Sequence, residues 1–343
     1  MKIVIDNKIP YIREAMARIT PHAVYINGGD ISNADLRDAD ALIVRTRTRC
    51  DERLLHDTGV RFVATATIGY DHIDTGYLER AGIAWMNCPG CNASSVAQYL
   101  RSSLIHLLLD GVISPGDVVG IVGCGHVGGR VKTVAEELGL RTMVCDPPLQ
   151  ASSGSSSMAF ADLHCLAEQC EVITFHVPLT MSGDCPTYHM ADEPFFRSLK
   201  RRPVIINTAR GAVVDNGALL RALDDGLVRL TVIDTWENEP DISVELLDKA
   251  YIATPHIAGY SADGKVNADN MVVDGLCRFF GIPRPPMIVP PPAPCSRDEI
   301  SALPPLMARL RLYDPLDDTR MLKADPQAFE QLRGSYPVRR EHL

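Results

Sequence analysis

Val118-Val119-Gly120-Ile121-Val122-Gly123-Cys124-Gly125-His126-Val127-Gly128 is the stretch on which the reading of this chain turns. Its opening β-branched run has strand length and stops at Gly123. From Gly129 to Leu138, Val131, Val134, Ala135 and Leu138 recur at helical spacing. Strand, glycine turn and helix in that order are the context in which G-x-G-x-x-G holds the pyrophosphate of a dinucleotide. Gly123 lets the chain turn, Gly125 lets backbone approach the phosphates, and Gly128 lets helix and strand pack closely. The helix N-terminus adds N–H donors and partial positive charge, and His126 and Val127 lie among these candidate contacts. A second strand, Thr142-Met143-Val144-Cys145, ends at Asp146. An acid about 20 residues beyond the glycines accepts from ribose hydroxyls and repels a 2′-phosphate. NAD is therefore the expected cofactor, in preference to NADP.

At 343 residues the chain has room for two or three domains. An apolar content of 46% with 22% charged residues is that of an ordinary globular protein. The net charge of −9 argues against nucleic acid or an anionic membrane as partner, but not against a small anionic substrate held by a few local arginines. Met1 to Asp6 reads as a buried first strand without a signal segment, and no run reaches the roughly 18 apolar residues of a membrane span. The expected location is the cytoplasm. The ten cysteines sit mostly in apolar contexts. Cys88-Pro89-Gly90-Cys91 matches C-x-x-C, but no second pair at zinc-ligand spacing follows it. Buried reduced thiols are expected there rather than a redox dithiol, and no metal site.

The first ninety residues alternate strand-like and helix-like segments. Strands fall at Lys2–Asp6, Ala23–Ile26, Ala41–Val44, Phe62–Ala66 and Ile83–Met86, with helical runs at Tyr11–Ile19, Asn33–Arg37, Arg53–Asp57 and Tyr77–Ala81. This β-α alternation implies a parallel sheet. Asn92 to Leu109 is a long apolar-periodic helix, after which Ser114 to Ala258 continues the alternation, with later strands at Glu171–Phe175, Val204–Asn207, Leu230–Asp234 and Ala250–Ala253. Ser261 to Phe280 is helical again. The expected organisation is a discontinuous first domain, 1–92 with 260–282, around an inserted nucleotide domain, 93–259. From 283 a proline-rich linker, including Pro290-Pro291-Pro292, leads into a small C-terminal domain ending at 343. About fifty residues are too few to hold a large core alone, so a second copy of the chain is the expected surface for them.

Ligands of open parallel sheets bind at the carboxyl ends of the strands. Asn207-Thr208-Ala209-Arg210-Gly211, Asp234-Thr235-Trp236-Glu237-Asn238-Glu239-Pro240 and Pro255-His256-Ile257-Ala258-Gly259 follow three such strands. They bring an arginine, acids and a histidine to the edge that carries the phosphate turn, a set suited to hydride transfer coupled to proton transfer. Together with Thr67-Ile68-Gly69-Tyr70-Asp71-His72 and Cys88-Pro89-Gly90, these motifs resemble those of the D-2-hydroxyacid dehydrogenase family. The resemblance implies an α/β fold: a doubly wound parallel-sheet (Rossmann) NAD domain inserted in a flavodoxin-like substrate domain. A narrower likeness within the family rests on Val44-Arg45-Thr46-Arg47-Thr48, Cys145-Asp146-Pro147-Pro148, His256-Ile257-Ala258-Gly259-Tyr260-Ser261 and the tail. It implies a phosphorylated small hydroxy acid as substrate and a C-terminal dimerisation domain that makes a homodimer.

Family roles carry over by resemblance. His256 is the implied acid/base and Glu239, directly before the proline, its partner, raising the histidine pKa and fixing its tautomer; Glu237 is a decoy of the same charge. Arg210 is implied to hold the substrate carboxylate with a rigid fork of donors. Asp234 is implied to orient the nicotinamide carboxamide, with Val177, Thr208, Ala209 and Gly259 also against the cofactor. Arg45, Arg47 and Arg49 would share a face if their strand continued, and one or two would hold the phosphate. Thr46, Thr67 and Tyr260 complete the implied substrate set, Thr46 standing where the family leads one to expect serine. The competing readings are a dehydrogenase of another D-2-hydroxyacid, such as 3-phosphoglycerate, and a non-catalytic NAD-sensing scaffold of the corepressor type.

Overall fold

β1 (Ile3–Asp6), β2 (Ala23–Ile26), β3 (Ala41–Val44), β4 (Phe62–Thr65) and β5 (Ala84–Met86) form a parallel sheet in the order β2-β1-β3-β4-β5. β1, β3 and β4 are buried along their whole length, as expected of parallel strands covered on both faces. Alternation decides which residue meets which layer. Ile3, Ile5, Ala41, Ile43, Phe62 and Ala64 enter one core with α1 (Arg13–Ile19). Val4, Leu42, Val44 and Val63 enter the opposite core with α2 (Asn33–Leu36), α3 (Glu52–Leu55) and α4 (Thr75–Arg80). The order is that of a flavodoxin-like sheet.

The computed structural model describes residues 1–152 and 159–342. It divides into two compact units, Met1–Asn92 with Tyr260–Pro292 and Ala93–Gly259 with Ala293–Leu343. The second unit runs through α5 (Ala93–Leu109), β6 (Val118–Val122), α6 (His126–Glu137), β7 (Arg141–Cys145), α7 (Pro147–Ser152), α8 (Leu163–Gln169), β8 (Val172–Phe175), α9 (Glu193–Ser198), β9 (Val204–Asn207), α10 (Asn216–Asp224), β10 (Leu230–Ile233), α11 (Val244–Lys249) and β11 (Ile252–Ala253). Its parallel sheet has the order β11-β10-β9-β8-β6-β7, and a lone parallel bridge from Phe160 to Val144 lies beside β7. Winding reverses where β8 lies against β6, which puts a topological switch point at the glycine turn.

Ser261 caps α12 (Ala262–Phe280) through its Oγ, which accepts from the Gly264 N–H at 2.8 Å. Val272, Val273 and Leu276 of this helix close the core of the first unit beside Ile3 and Phe62. The helix ends at Gly281 in the left-handed region. Asn270 holds the following proline-rich segment by bonding both the N–H and the C=O of Ile288 at 2.9 Å.

The tail departs from its expected placement. α13 (Arg297–Ser301), α14 (Pro305–Leu312), α15 (Pro315–Ala324) and α16 (Phe329–Gly334) belong to the second unit, whose core takes in Leu322 and Phe329, both wholly buried. Ser102 donates to the Tyr313 carbonyl at 2.7 Å, and Thr319 accepts from the Ala253 N–H at the sheet edge. A segment too small for its own core therefore adds Leu322 and Phe329 to that of its own nucleotide unit. All ten cysteines are free, Cys88 and Cys91 are both buried, and burial raises the Cys88 thiol well above its usual range. Among the described residues no helix is long and apolar enough to cross a membrane, and no group of three or more His, Cys, Asp or Glu could hold a metal.

Candidate active site

The glycine turn leaves β6 at Gly123, in a left-handed conformation with φ of 86°. α6 then begins at His126, earlier than the apolar periodicity from Gly129 indicates, with Gly125 at the N-cap and no side chain capping it. The first-turn N–H groups are thus left for a ligand. Gly128 is forced by close approach, since a Cβ there would stand 1.9 Å from the Gly123 carbonyl oxygen. Gly125 is the reverse case: a Cβ would meet nothing within 4 Å, so the space over it is open. An open cleft of about 410 Å³ lies here, lined by Gly125, His126, Gly129, Arg130 and Thr133. Arg130 was not legible as a cleft residue because its place depends on where the helix starts; it donates to Ser94 Oγ at 3.0 Å. Val177 and His176 back the turn, within 3 Å of where a Cβ on Gly123 would be.

Asp146 lies at the end of β7 as expected, but its carboxylate also organises the backbone. Oδ2 accepts from the Cys124 N–H at 2.7 Å and Oδ1 from the Leu149 N–H at 2.9 Å. An uncapped helix end, open space above Gly125 and a carboxylate at the strand tip make a donor and acceptor set that fits a dinucleotide.

Three loops carry the remaining polar groups of the second unit. Asn207, at the tip of β9, ties its loop by donating to the Arg210 carbonyl at 3.0 Å and accepting from the Ala209 N–H at 3.1 Å. Gly211 lies so close to the next loop that a Cβ would fall 1.9 Å from the Trp236 carbonyl oxygen, which locks the arginine loop against the acid loop. In the acid loop Glu239 Oε1 accepts from the Trp236 N–H, and Oε2 is 2.8 Å from His256 Nδ1. Glu237 turns elsewhere, to His189 Nε2 at 2.7 Å and the Asn216 N–H at 2.8 Å. Burial pushes the Glu239 carboxyl upward, yet His256 and the Trp236 N–H outweigh that and hold it below its usual range.

His256 has φ of 55°, a left-handed conformation that costs a β-carbon residue about 1–2 kcal/mol. Its N–H donates to the carbonyls of Asp234 and Thr254. Asp234, 1% exposed, accepts from Thr254 Oγ1 and the Ile257 N–H at 2.7 Å and from the Ala258 N–H at 3.0 Å. It therefore shapes the histidine loop directly. Burial raises its pKa, and His256 with these donors oppose that rise. His176, which sequence reasoning passed over for its backbone neighbour Val177, bridges Thr174 Oγ1 at 3.0 Å and Thr208 Oγ1 at 3.4 Å.

In the first unit β3 ends at Val44, and Thr46 and Arg47 lie in a turn, so the three arginines do not share a strand face. Arg45 reaches Lys8 O at 3.2 Å and the Tyr260 hydroxyl at 3.4 Å. Arg49 pairs with Asp51 at 3.0 Å. Lys265 lies over the Tyr260 ring, 4.8 Å from its centroid, and adds a second cation at that tyrosine. Thr67 donates to Gly69 O at 2.8 Å and meets Thr65 Oγ1 at 2.7 Å, which in turn meets His72 Nε2 at 3.0 Å.

Residues 106–258 match the family model of the D-isomer specific 2-hydroxyacid dehydrogenase, NAD binding domain. The chain is 50% identical over 342 residues to an erythronate-4-phosphate dehydrogenase of Bacteroides thetaiotaomicron, covering 99% of this chain and 97% of the relative. It belongs to the erythronate-4-phosphate dehydrogenase family of D-2-hydroxyacid dehydrogenases. A family member from Porphyromonas gingivalis is 44% identical, with 99% of this chain and 94% of the relative covered. Among solved structures, the NAD+-bound 3-phosphoglycerate dehydrogenase of Entamoeba histolytica is similar at 27% identity and a TM-score of 0.69, covering 82% of this chain and 95% of that one. The family's cofactor is NAD, and the glycine turn with Asp146 is the part of this chain that fits it.

Proposed function

We propose that the chain oxidises 4-phospho-D-erythronate to (R)-3-hydroxy-2-oxo-4-phosphobutanoate with NAD, in the biosynthesis of pyridoxal 5′-phosphate (vitamin B6). The observation that carries the reading is the Glu239–His256 pair at 2.8 Å, on an acid loop packed against the loop of Arg210, whose Nη1 donates to the Ala209 carbonyl at 2.8 Å. A carboxylate on Nδ1 makes that nitrogen the N–H, so Nε2 keeps its lone pair and takes the proton of the substrate hydroxyl. NAD, held by the glycine turn and Asp146, would supply the hydride acceptor for the carbon that bears this hydroxyl. Arg210 holds the carboxylate and stabilises negative charge growing on the carbonyl oxygen. Gly123, Gly125, His126, Val127, Gly128, Asp146, Val177, Thr208, Ala209, Asp234 and Gly259 form the cofactor contacts. Arg45, with Arg47, Thr46, Thr67 and Tyr260, serves the phosphorylated end of the substrate; the Arg45–Tyr260 contact supports this choice over Arg49.

The names of the relatives support the substrate, and the intact pairing of Glu239 with His256 favours an enzyme over a non-catalytic scaffold. Steady-state kinetics on 4-phospho-D-erythronate and 3-phosphoglycerate test the assignment. A higher kcat/KM on the first is expected, and preference for phosphoglycerate would overturn it. The working enzyme is a cytoplasmic homodimer joined through the C-terminal region. Exposed Met307 and Met321 on the tail helices, each 45% accessible, support an interface there.

A further inference from the structure

Ala258, two residues beyond His256, is gripped at both ends. Its N–H donates to Asp234 Oδ2 at 3.0 Å, and its C=O accepts from Arg339 Nη2 at 2.5 Å. Arg339 comes from the last residues of the chain, is 4% exposed, and also reaches the Ser95 carbonyl at 3.5 Å. Its guanidinium lies over the Tyr313 ring, 4.2 Å from the centroid, with the Tyr336 ring 5.9 Å away. Both tyrosine hydroxyls donate to Asp318 Oδ2, at 3.0 and 2.9 Å, so the carboxylate that faces the arginine is itself fixed. Yet among the described residues Nε and Nη1 of Arg339 have no hydrogen-bond partner. A buried cation with unmet donors weakens a fold compared with an apolar side chain of like volume. Stability therefore does not account for an arginine here, whereas the bond to Ala258 does.

We propose that Arg339 is a positioning residue for the reaction assigned above: it fixes Ala258, and through it the left-handed backbone that aims His256. The C-terminal segment thereby completes the catalytic loop of its own chain, independently of any role between subunits. The inference rests on the proposed function for its catalytic half only.

Full-length Arg339→Met, Arg339→Lys and Gln98→Leu variants test it, with kcat, KM for NAD and amide hydrogen exchange of the 255–260 segment measured on each. Gln98 donates to the carbonyl of Arg340, so its loss frees a neighbouring tail anchor without touching Ala258. Arg339→Met should lower kcat about tenfold or more, because small displacements of reacting groups are costly, and should speed exchange in 255–260 while KM for NAD stays within about twofold. Arg339→Lys, with one donor able to reach the carbonyl, should lie between Met and wild type in both readouts. Gln98→Leu should match wild type in both. Wild-type exchange or wild-type kcat in Arg339→Met, or equal effects from Gln98→Leu, would overturn the proposal. If the methionine variant does not fold, a lysine variant identical to wild type in both readouts overturns it. Absence of turnover by the wild-type chain would instead defeat the assigned reaction, and exchange alone would then decide what Arg339 does to the loop.

Discussion

Glu239 Oε2 stands 2.8 Å from His256 Nδ1, whereas Glu237, two residues earlier, spends both oxygens on His189 and the Asn216 backbone. Glu239→Gln should therefore lower kcat by about 100-fold with little change in NAD affinity, a loss typical of impaired acid–base catalysis. Glu237→Gln should leave kcat within about threefold, the range of a residue outside the chemistry, and steady-state assays of the two variants side by side decide it. The Glu239 carboxyl is held below its ordinary value of 4.5. Its ionisation thus contributes stability above that value that is lost as pH falls through the folded one. Denaturant melts should show a shallower acid-side decline in Glu239→Gln.

Two glycines of one turn should fail in different ways. Gly128→Ala puts a Cβ 1.9 Å from the Gly123 carbonyl oxygen, a backbone atom that cannot swing aside, so overpacking should cost about 1–3 kcal/mol. Gly125→Ala has open space and φ of −76°, so its Tm should stay near wild type. Its methyl intrudes where the cofactor's phosphates are expected, and NAD should bind about tenfold more weakly, or 1.4 kcal/mol. Thermal melts paired with fluorescence titration of NAD separate the two effects.

Asp146→Ala should narrow the preference for NAD over NADP, as read from the ratio of kcat/KM values. Because Asp146 also accepts from the Cys124 and Leu149 N–H groups, the variant should lose about 1 kcal/mol of stability as well. An unchanged cofactor ratio would place ribose recognition elsewhere.

Asp269 on α12 is 1% exposed and accepts from the Tyr11 N–H at 3.1 Å. Burial pushes it up to about 7, opposed by that N–H and by Arg45 and Lys265. A raised carboxyl binds its proton more tightly when folded, so stability is greatest below the ordinary value of 3.8 and declines as pH rises toward the folded value. Asp269→Asn should flatten that decline between about pH 4 and 7, seen as a smaller change in denaturation midpoint across this window.

The proposed dimer is tested by substitution in the tail, with the chain left at full length. Deleting the chain from Pro290 would strip Leu322 and Phe329 from the core of the nucleotide unit, costing about 2–5 kcal/mol for each large side chain lost. Met307→Glu with Met321→Glu leaves that core alone, and light scattering should then report a monomer. A persisting dimer would move the interface off these helices.

Much of this was legible beforehand because local rules carried it. β6 and its glycine turn announced themselves through β-branched residues and G-x-G-x-x-G, and alternating strands and helices implied parallel sheets. The short helices α8, α10 and α11 were not read, since segments of six to nine residues give little periodicity between loops. Arg45, Arg47 and Arg49 alternate in sequence, but the strand ends at Val44 and the turn sends Arg49 to Asp51. Arg130 and His176 have local partners in His126 and Thr174, but their contacts with Ser94 and Thr208 join residues 36 and 32 positions apart, which local pattern does not show.

The amino-acid order alone carried the strand–turn–helix at Gly123 to Gly128 and the acid at Asp146, because each depends on spacing within one segment, while the roles of Arg210, Glu239 and His256 came from the resemblance of three separate loops to one family. Tertiary structure supplied the contact of Glu239 with His256 that the position before Pro240 implied, and it alone decided that Gly211 is wedged under Trp236 and that Arg339 holds Ala258 from 81 residues away. Those relations arise where separate loops are driven together by burial of the strands beneath them. Which polar atoms then meet is settled by close packing and by the cost of leaving a buried donor or acceptor unpaired.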